Sequence, residues 1–139
     1  MVFAIGILGL MGTVILHAIT CSGIIDYLRR LQPYLDETGV VVRVLVVSIV
    51  ACALATKHFV DIVLWALAFN WLNPSQFERV EDAIYFSAVT YTSLGYGDIV
   101  LDSRWRLLCG FEAINGLLLF GISTALLFIL FQRLWVVDK

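Results

Sequence analysis

Charge is scarce in this sequence. Asp, Glu, Lys and Arg make up 14% of its 139 residues, where a soluble domain carries about 25%. So little charge excludes a disordered segment, which needs it to stay solvated. With 61% hydrophobic residues it also excludes an ordinary soluble enzyme. A soluble domain of this size leaves roughly 30% of its unfolded surface in water, and the polar residues are too few to cover that. A basic excess is missing too. The net charge of −2 has the wrong sign for neutralising phosphates, so no nucleic-acid partner is expected. The three cysteines, Cys21, Cys52 and Cys109, are odd in number and widely spaced. They form no disulfide framework and no metal spacing and read as small packing residues. No cofactor and no enzymatic activity are expected.

What is present is long apolar runs. The first, residues 1–20, is long enough for a transmembrane helix. A secretory leader would begin with basic residues, yet no Lys or Arg precedes Arg29. Residues 21–39 are more polar and hold Arg29, Arg30, Pro33, Asp36 and Glu37. They predict a cytoplasmic interfacial segment. Residues 40–72 contain no Pro or Gly and predict one helix of ~50 Å, stopped at Asn73-Pro74. Residues 81–92 are helical in pattern but too short to span. A Gly-rich loop follows at 93–98, then another long helix over about 104–134. Non-helical backbone at membrane depth is tolerated only where protein buries it or a watery path runs beside it. A short helix and loop between two spans therefore predict a pore.

The loop reads Thr92-Ser93-Leu94-Gly95-Tyr96-Gly97-Asp98. Gly tolerates positive φ, so Gly95 and Gly97 permit a run of carbonyls that all face one way. Such oxygens can replace the hydration shell of a cation, and the Ser93 hydroxyl adds another. Glu81 and Asp82 complement the positive end of the short helix. This stretch resembles the signature of potassium channels, usually Thr-Val-Gly-Tyr-Gly-Asp. The likeness extends over about 40–135. Tyr85-Phe86-Ser87 falls where the family keeps an aromatic pair. Gly116 falls near its inner-helix hinge, and Phe120-Gly121 and Thr124-Ala125 fall in its cavity-lining stretch. The sequence departs from the family at Ser93, at Leu94, and at Val89, where many members place a carboxylate.

The resemblance implies an all-α membrane protein with the potassium-channel pore fold and one extra N-terminal transmembrane helix. It implies a homotetramer in the cell membrane, surrounded by lipid, with potassium as permeant ligand at Ser93, Leu94, Gly95 and Tyr96. Thr92, Tyr85, Phe86, Val89 and Glu112 would support the filter. Leu117, Phe120, Thr124, Phe128 and Phe131 would line the cavity and gate. The filter faces outside in the family. Arg29, Arg30, Arg43, Arg133 and Lys139 then lie inside, and Arg79, Arg104 and Arg106 outside, the expected bias. Trp65, Trp71 and Trp105 would mark the outer interface and Trp135 the inner one. Two rival readings stay open: a non-conducting or sensor subunit that keeps the fold, and a less selective cation channel.

Lys57, His58 and Asp61 lie in the middle of an apolar run, where unpaired charge is costly. Lys57 and Asp61 are four apart, and His58 and Asp61 three apart, so each pair shares a helical face. They read either as polar glue, with His17 as a partner, or as a proton or cation sensor. Glu112 and Asn115 share a face of the last helix. Glu112 is expected to stand in for the carboxylate missing at Val89, drawing donors from Tyr91, Thr92, Ser93, Asn115 or nearby amides.

Overall fold

The computed structural model describes residues 1–35, 38–102 and 104–135; Asp36, Glu37 and Lys139 lie outside them. There are four helices among these residues: α1 Val2–Leu35, α2 Val40–Leu72, α3 Val80–Tyr91 and α4 Arg106–Trp135. Three of them, α1, α2 and α4, are long and apolar enough to cross a membrane. The chain is an all-α, multi-pass integral membrane protein.

The first helix does not stop at residue 20. It runs unbroken to Leu35, so 21–39 is not a separate interfacial segment. The reason is packing. Cys21 and Leu35, with Ile24, Ile25, Leu28 and Leu31 beside them, continue one stripe onto Val50 and Leu54 of α2 and Leu126, Leu130 and Leu134 of α4. Pro33 sits in the last turn, where its missing N–H costs one hydrogen bond rather than a helix interior.

A second core lies at the other end of the bundle. Trp65, Phe69, Phe77, Phe86, Tyr91, Trp105 and Leu108 are buried together there, with Val2 and Ile5 of α1 against them. The N-terminus of α1 thus lies beside the C-terminus of α2 and the start of α4. Trp65 and Trp105 are core residues rather than interface anchors; Trp71 alone of that trio is exposed. Arg43, in the first turn of α2, donates to the Leu134 carbonyl at 2.6 Å. That satisfies an open carbonyl at the negative end of α4.

Close approaches fix how the helices seat. A Cβ on Gly6 would lie 2.5 Å from the Phe111 ring, and one on Gly9 2.9 Å from the Trp65 ring. The tightest approach is at Gly116. A Cβ there would fall 1.9 Å from the Tyr91 carbonyl oxygen. The α4 helix passes through Gly116 without interruption, so the glycine is accounted for by this approach. Gly116→Ala is expected to abolish the folded protein, because the obstructing atom is backbone. Yield of monodisperse protein in detergent tests this, and normal yield with unchanged melting would contradict the packing.

Candidate functional site

The short helix α3 opens at Arg79, whose backbone N–H donates to Asp82 Oδ2 at 3.1 Å. Glu81 and Asp82 occupy its first turn, where negative charge favours the helix dipole. At the other end the chain turns sharply into the loop. The Ser93 N–H bonds to the Thr90 carbonyl at 2.9 Å and the Leu94 N–H to the Val89 carbonyl at 2.9 Å. With Thr92 as C-cap, this is the Schellman pattern, whose next residue takes left-handed φ. That residue is Ser93, at φ +58°. The position normally prefers glycine, and no glycine marked it in the sequence.

The left-handed conformation recurs at every second residue, with Gly95 at φ +59° and Gly97 at φ +76°. Leu94 and Tyr96 between them have negative φ. Alternating handedness lets successive N–H groups converge on one side, as those of Leu94 and Gly95 do on the Val89 carbonyl. Residues 92–98 are all exposed in the single chain.

Two ties hold this strip to α3. The Val89 carbonyl also receives the Gly95 N–H, at 3.3 Å, so Val89 acts through its backbone. At the far end, the Tyr85 hydroxyl donates to Asp98 Oδ2 at 2.8 Å. That bond, first among the causes, raises the Tyr85 phenol above its ordinary pKa. Phe86 and Thr92 do not touch the strip in this way. Phe86 packs edge-on against Phe69 at 5.3 Å. The Thr92 hydroxyl turns back to the Ala88 carbonyl at 2.7 Å.

Glu112 is fully buried, and its partner is a residue absent from the expected donors. Ser87 Oγ lies 2.5 Å from Glu112 Oε1 and 2.8 Å from the Ile62 carbonyl. Tyr91, Thr92 and Ser93 make no bond to Glu112, and Asn115 donates instead to Thr13 Oγ1 of α1 at 2.7 Å. A hydroxyl has one proton and a carbonyl only accepts. With the Ser87 proton on Ile62, the Glu112 contact closes when the carboxyl supplies its own. One serine thereby joins α2, α3 and α4.

The mid-membrane polar residues form a second junction. Lys57 Nζ lies 2.6 Å from Asp61 Oδ1, and Asp61 Oδ2 receives the Tyr91 hydroxyl at 3.5 Å. That hydroxyl also sits 3.0 Å from His58 Nδ1. His58 Nε2 is 2.9 Å from Ser123 Oγ, which is 3.1 Å from His17 Nε2. His58 and Asp61 meet through Tyr91 rather than directly, and His17 joins through Ser123. Sequence reasoning gave Ser123 no role, named Ser87 only beside the aromatic pair, and expected Tyr91 to serve Glu112 rather than Asp61 and His58. Ser87 and Tyr91 are four apart on α3, a shared face, and that spacing was the available signal.

On α4, Leu117, Thr124, Phe128 and Phe131 are exposed. Phe120 is exposed on the same stripe but makes a second contact. Its ring lies over His58 at 4.3 Å and edge-on to Tyr91 at 5.5 Å, so it also covers the polar junction.

Three spanning helices, with a short helix and an alternating-φ strip between the second and third, define a pore-loop membrane protein. The profile of a family described as ion channels matches residues 40–133, and the chain belongs to that family. No curated protein and no solved structure matches it. The α1 helix lies outside the matched region.

The buried ion pair yields a direct expectation. Asp61→Asn leaves the Lys57 ammonium without its counter-charge and should destabilise by about 3–5 kcal/mol. Adding Lys57→Met should restore much of that. Thermal unfolding in detergent reads both, and additive losses would contradict the pairing. For Glu112, Gln retains a donor toward Ser87 and should be mild. Ala leaves buried groups unpaired at about 1–3 kcal/mol each.

Proposed function

We infer that this ion channel is potassium-selective and works as a homotetramer, with the carbonyls of Ser93, Leu94, Gly95 and Tyr96 as its ion ligands. The observation that carries the reading is the φ alternation at Ser93, Gly95 and Gly97. Rings of backbone carbonyls that replace a hydration shell are how potassium filters work, and one strip supplies one side of a ring. Four strips around an axis close it, and four copies of this chain in closed symmetry would supply them. The exposure of the whole strip in a single chain supports this, because bare backbone at membrane depth must be covered by protein or face a watery path. Asp98, tied to Tyr85, stands at the outer mouth and draws cations toward it. Conduction is passive.

Below the strip, Leu117 and Thr124 face the cavity, and Phe128 and Phe131 form an apolar constriction that gates by dewetting. Gly116 serves as a packing notch rather than a hinge. The Lys57–Asp61–Tyr91–His58 junction acts as structural glue, since it fastens the last residue of α3 to α2, and through Ser123 to α1 and α4.

Potassium flux from proteoliposomes, with sodium as control, tests the reading. Equal flux of both ions would favour a non-selective cation channel; no flux from well-folded protein would favour a non-conducting subunit. Gly97→Ala forces a Cβ into the left-handed region at a cost of about 1–2 kcal/mol. It should abolish selective flux while the oligomer survives. Cysteines at Leu117, Thr124 and Phe128 should react with cytoplasmic thiol reagents, and one at Leu119 should not. Uniform protection would reject the pore-lining stripe.

A further inference from the structure

At the end of the bundle away from the loop, α1 and α4 leave between them a groove of about 250 Å³. Its walls include Leu28, Ile129 and Leu130, and its rim carries Arg29, Gln32 and Arg133. The two parts call for opposite chemistry. The walls are aliphatic, while the rim presents two guanidinium groups on facing helices. Neither cation is strongly engaged. Arg29 meets Asp26 only at 3.6 Å, with both side chains mostly exposed, and such pairs contribute little. Arg133 bonds to Gln32, which is neutral, and among the described residues no carboxylate pairs with it.

The depth is also suitable. Twenty-seven residues separate Val2 from Arg29 along α1, about 40 Å at 1.5 Å per residue. That carries Arg29 through a ~30 Å hydrocarbon core to headgroup level. A free anion would leave the aliphatic walls unused, and a neutral lipid would leave two cations unneutralised. One molecule with a phosphate at one end and a hydrocarbon tail at the other satisfies both parts. Guanidinium forks suit phosphate oxygens, and basic pockets between transmembrane helices hold anionic headgroups.

We propose that the α1–α4 groove binds one anionic phospholipid, its phosphate between Arg29 and Arg133 and one acyl chain along Leu28, Ile129 and Leu130. The bound lipid fills the groove between the family's inner helix and the N-terminal helix, beside the Gln32–Arg133 contact that joins them. This site depends on neither ion selectivity nor conduction.

Native mass spectrometry of the purified full chain tests it, with phosphatidylglycerol and phosphatidylcholine as probes. Wild type should retain phosphatidylglycerol preferentially. The double variant Arg29→Gln/Arg133→Gln should lose about thirtyfold of that affinity, the ratio expected for two surface cations, with phosphatidylcholine unchanged. Ile129→Trp fills the groove without touching charge and should displace phosphatidylglycerol equally. Arg79→Gln, at the opposite end, should have no effect. Equal retention of both lipids, or undiminished phosphatidylglycerol binding in the double variant, would overturn the proposal. So would competition by tail-less glycerophosphate as strong as by the lipid. A change of oligomeric state in Ile129→Trp with lipid retention intact would assign the groove to a second copy of the chain and overturn it too.

Discussion

The carbonyl of Tyr91 rests in the notch left by the absent side chain of Gly116, and the rest of the site depends on that seat. Tyr91 is the last residue of α3, so wherever its carbonyl lies, the strip begins two residues later. The notch sets the height of α3 against α4, and the Schellman turn then sets the direction in which the chain leaves. Because the turn demands left-handed φ at Ser93, the alternation that continues through Gly95 and Gly97 starts within the helix cap itself. Helix seat and loop conformation are one constraint expressed at neighbouring residues.

Around that seat the polar groups are arranged as buried clamps. The Tyr91 side chain is gripped on one side by Asp61 and His58. One turn earlier, Ser87 is gripped by Ile62 and Glu112. The same face of α3 thus carries two polar contacts to α2, one to a side-chain pair and one to a backbone carbonyl. In an apolar surround, where an unmade hydrogen bond is expensive, two such contacts four residues apart resist both sliding and rotation of the helix.

Much of this architecture was legible before the structure. Composition set the solvent, run length set the three spans, and Gly95 and Gly97 marked a loop that needs positive φ. What escaped follows from chemistry that runs and motifs do not encode. The end of α1 was misplaced because Arg29, Arg30 and Pro33 resemble a boundary, whereas its aliphatic stripe, packed on two helices, outweighs them. Trp65 and Trp105 match interface residues by composition yet lie in the core, because depth in sequence does not reveal which face a helix turns inward. Glu112 was expected to draw on Tyr91, Thr92, Ser93 or Asn115 and meets Ser87 instead, since serine in a helix gives no sign of which way its hydroxyl points. Ser93 escaped because its left-handed φ is dictated by bonds to Thr90 and Val89, not by its own residue type.

The N-terminal helix changes the mechanics of the helix it leans on. Thr13 receives Asn115, Gly6 admits Phe111, and His17 reaches Ser123, so α1 is stitched to α4 over residues 111–123 of the latter. A lone helix that tilts at one end meets mainly lipid drag. Here a tilt of α4 must either carry α1 with it or shear buried hydrogen bonds that no lipid can replace. The two helices thus form one braced beam, stiffer than a single helix. The shared ion-channel core, spanning 40–133, carries no such brace for its last helix.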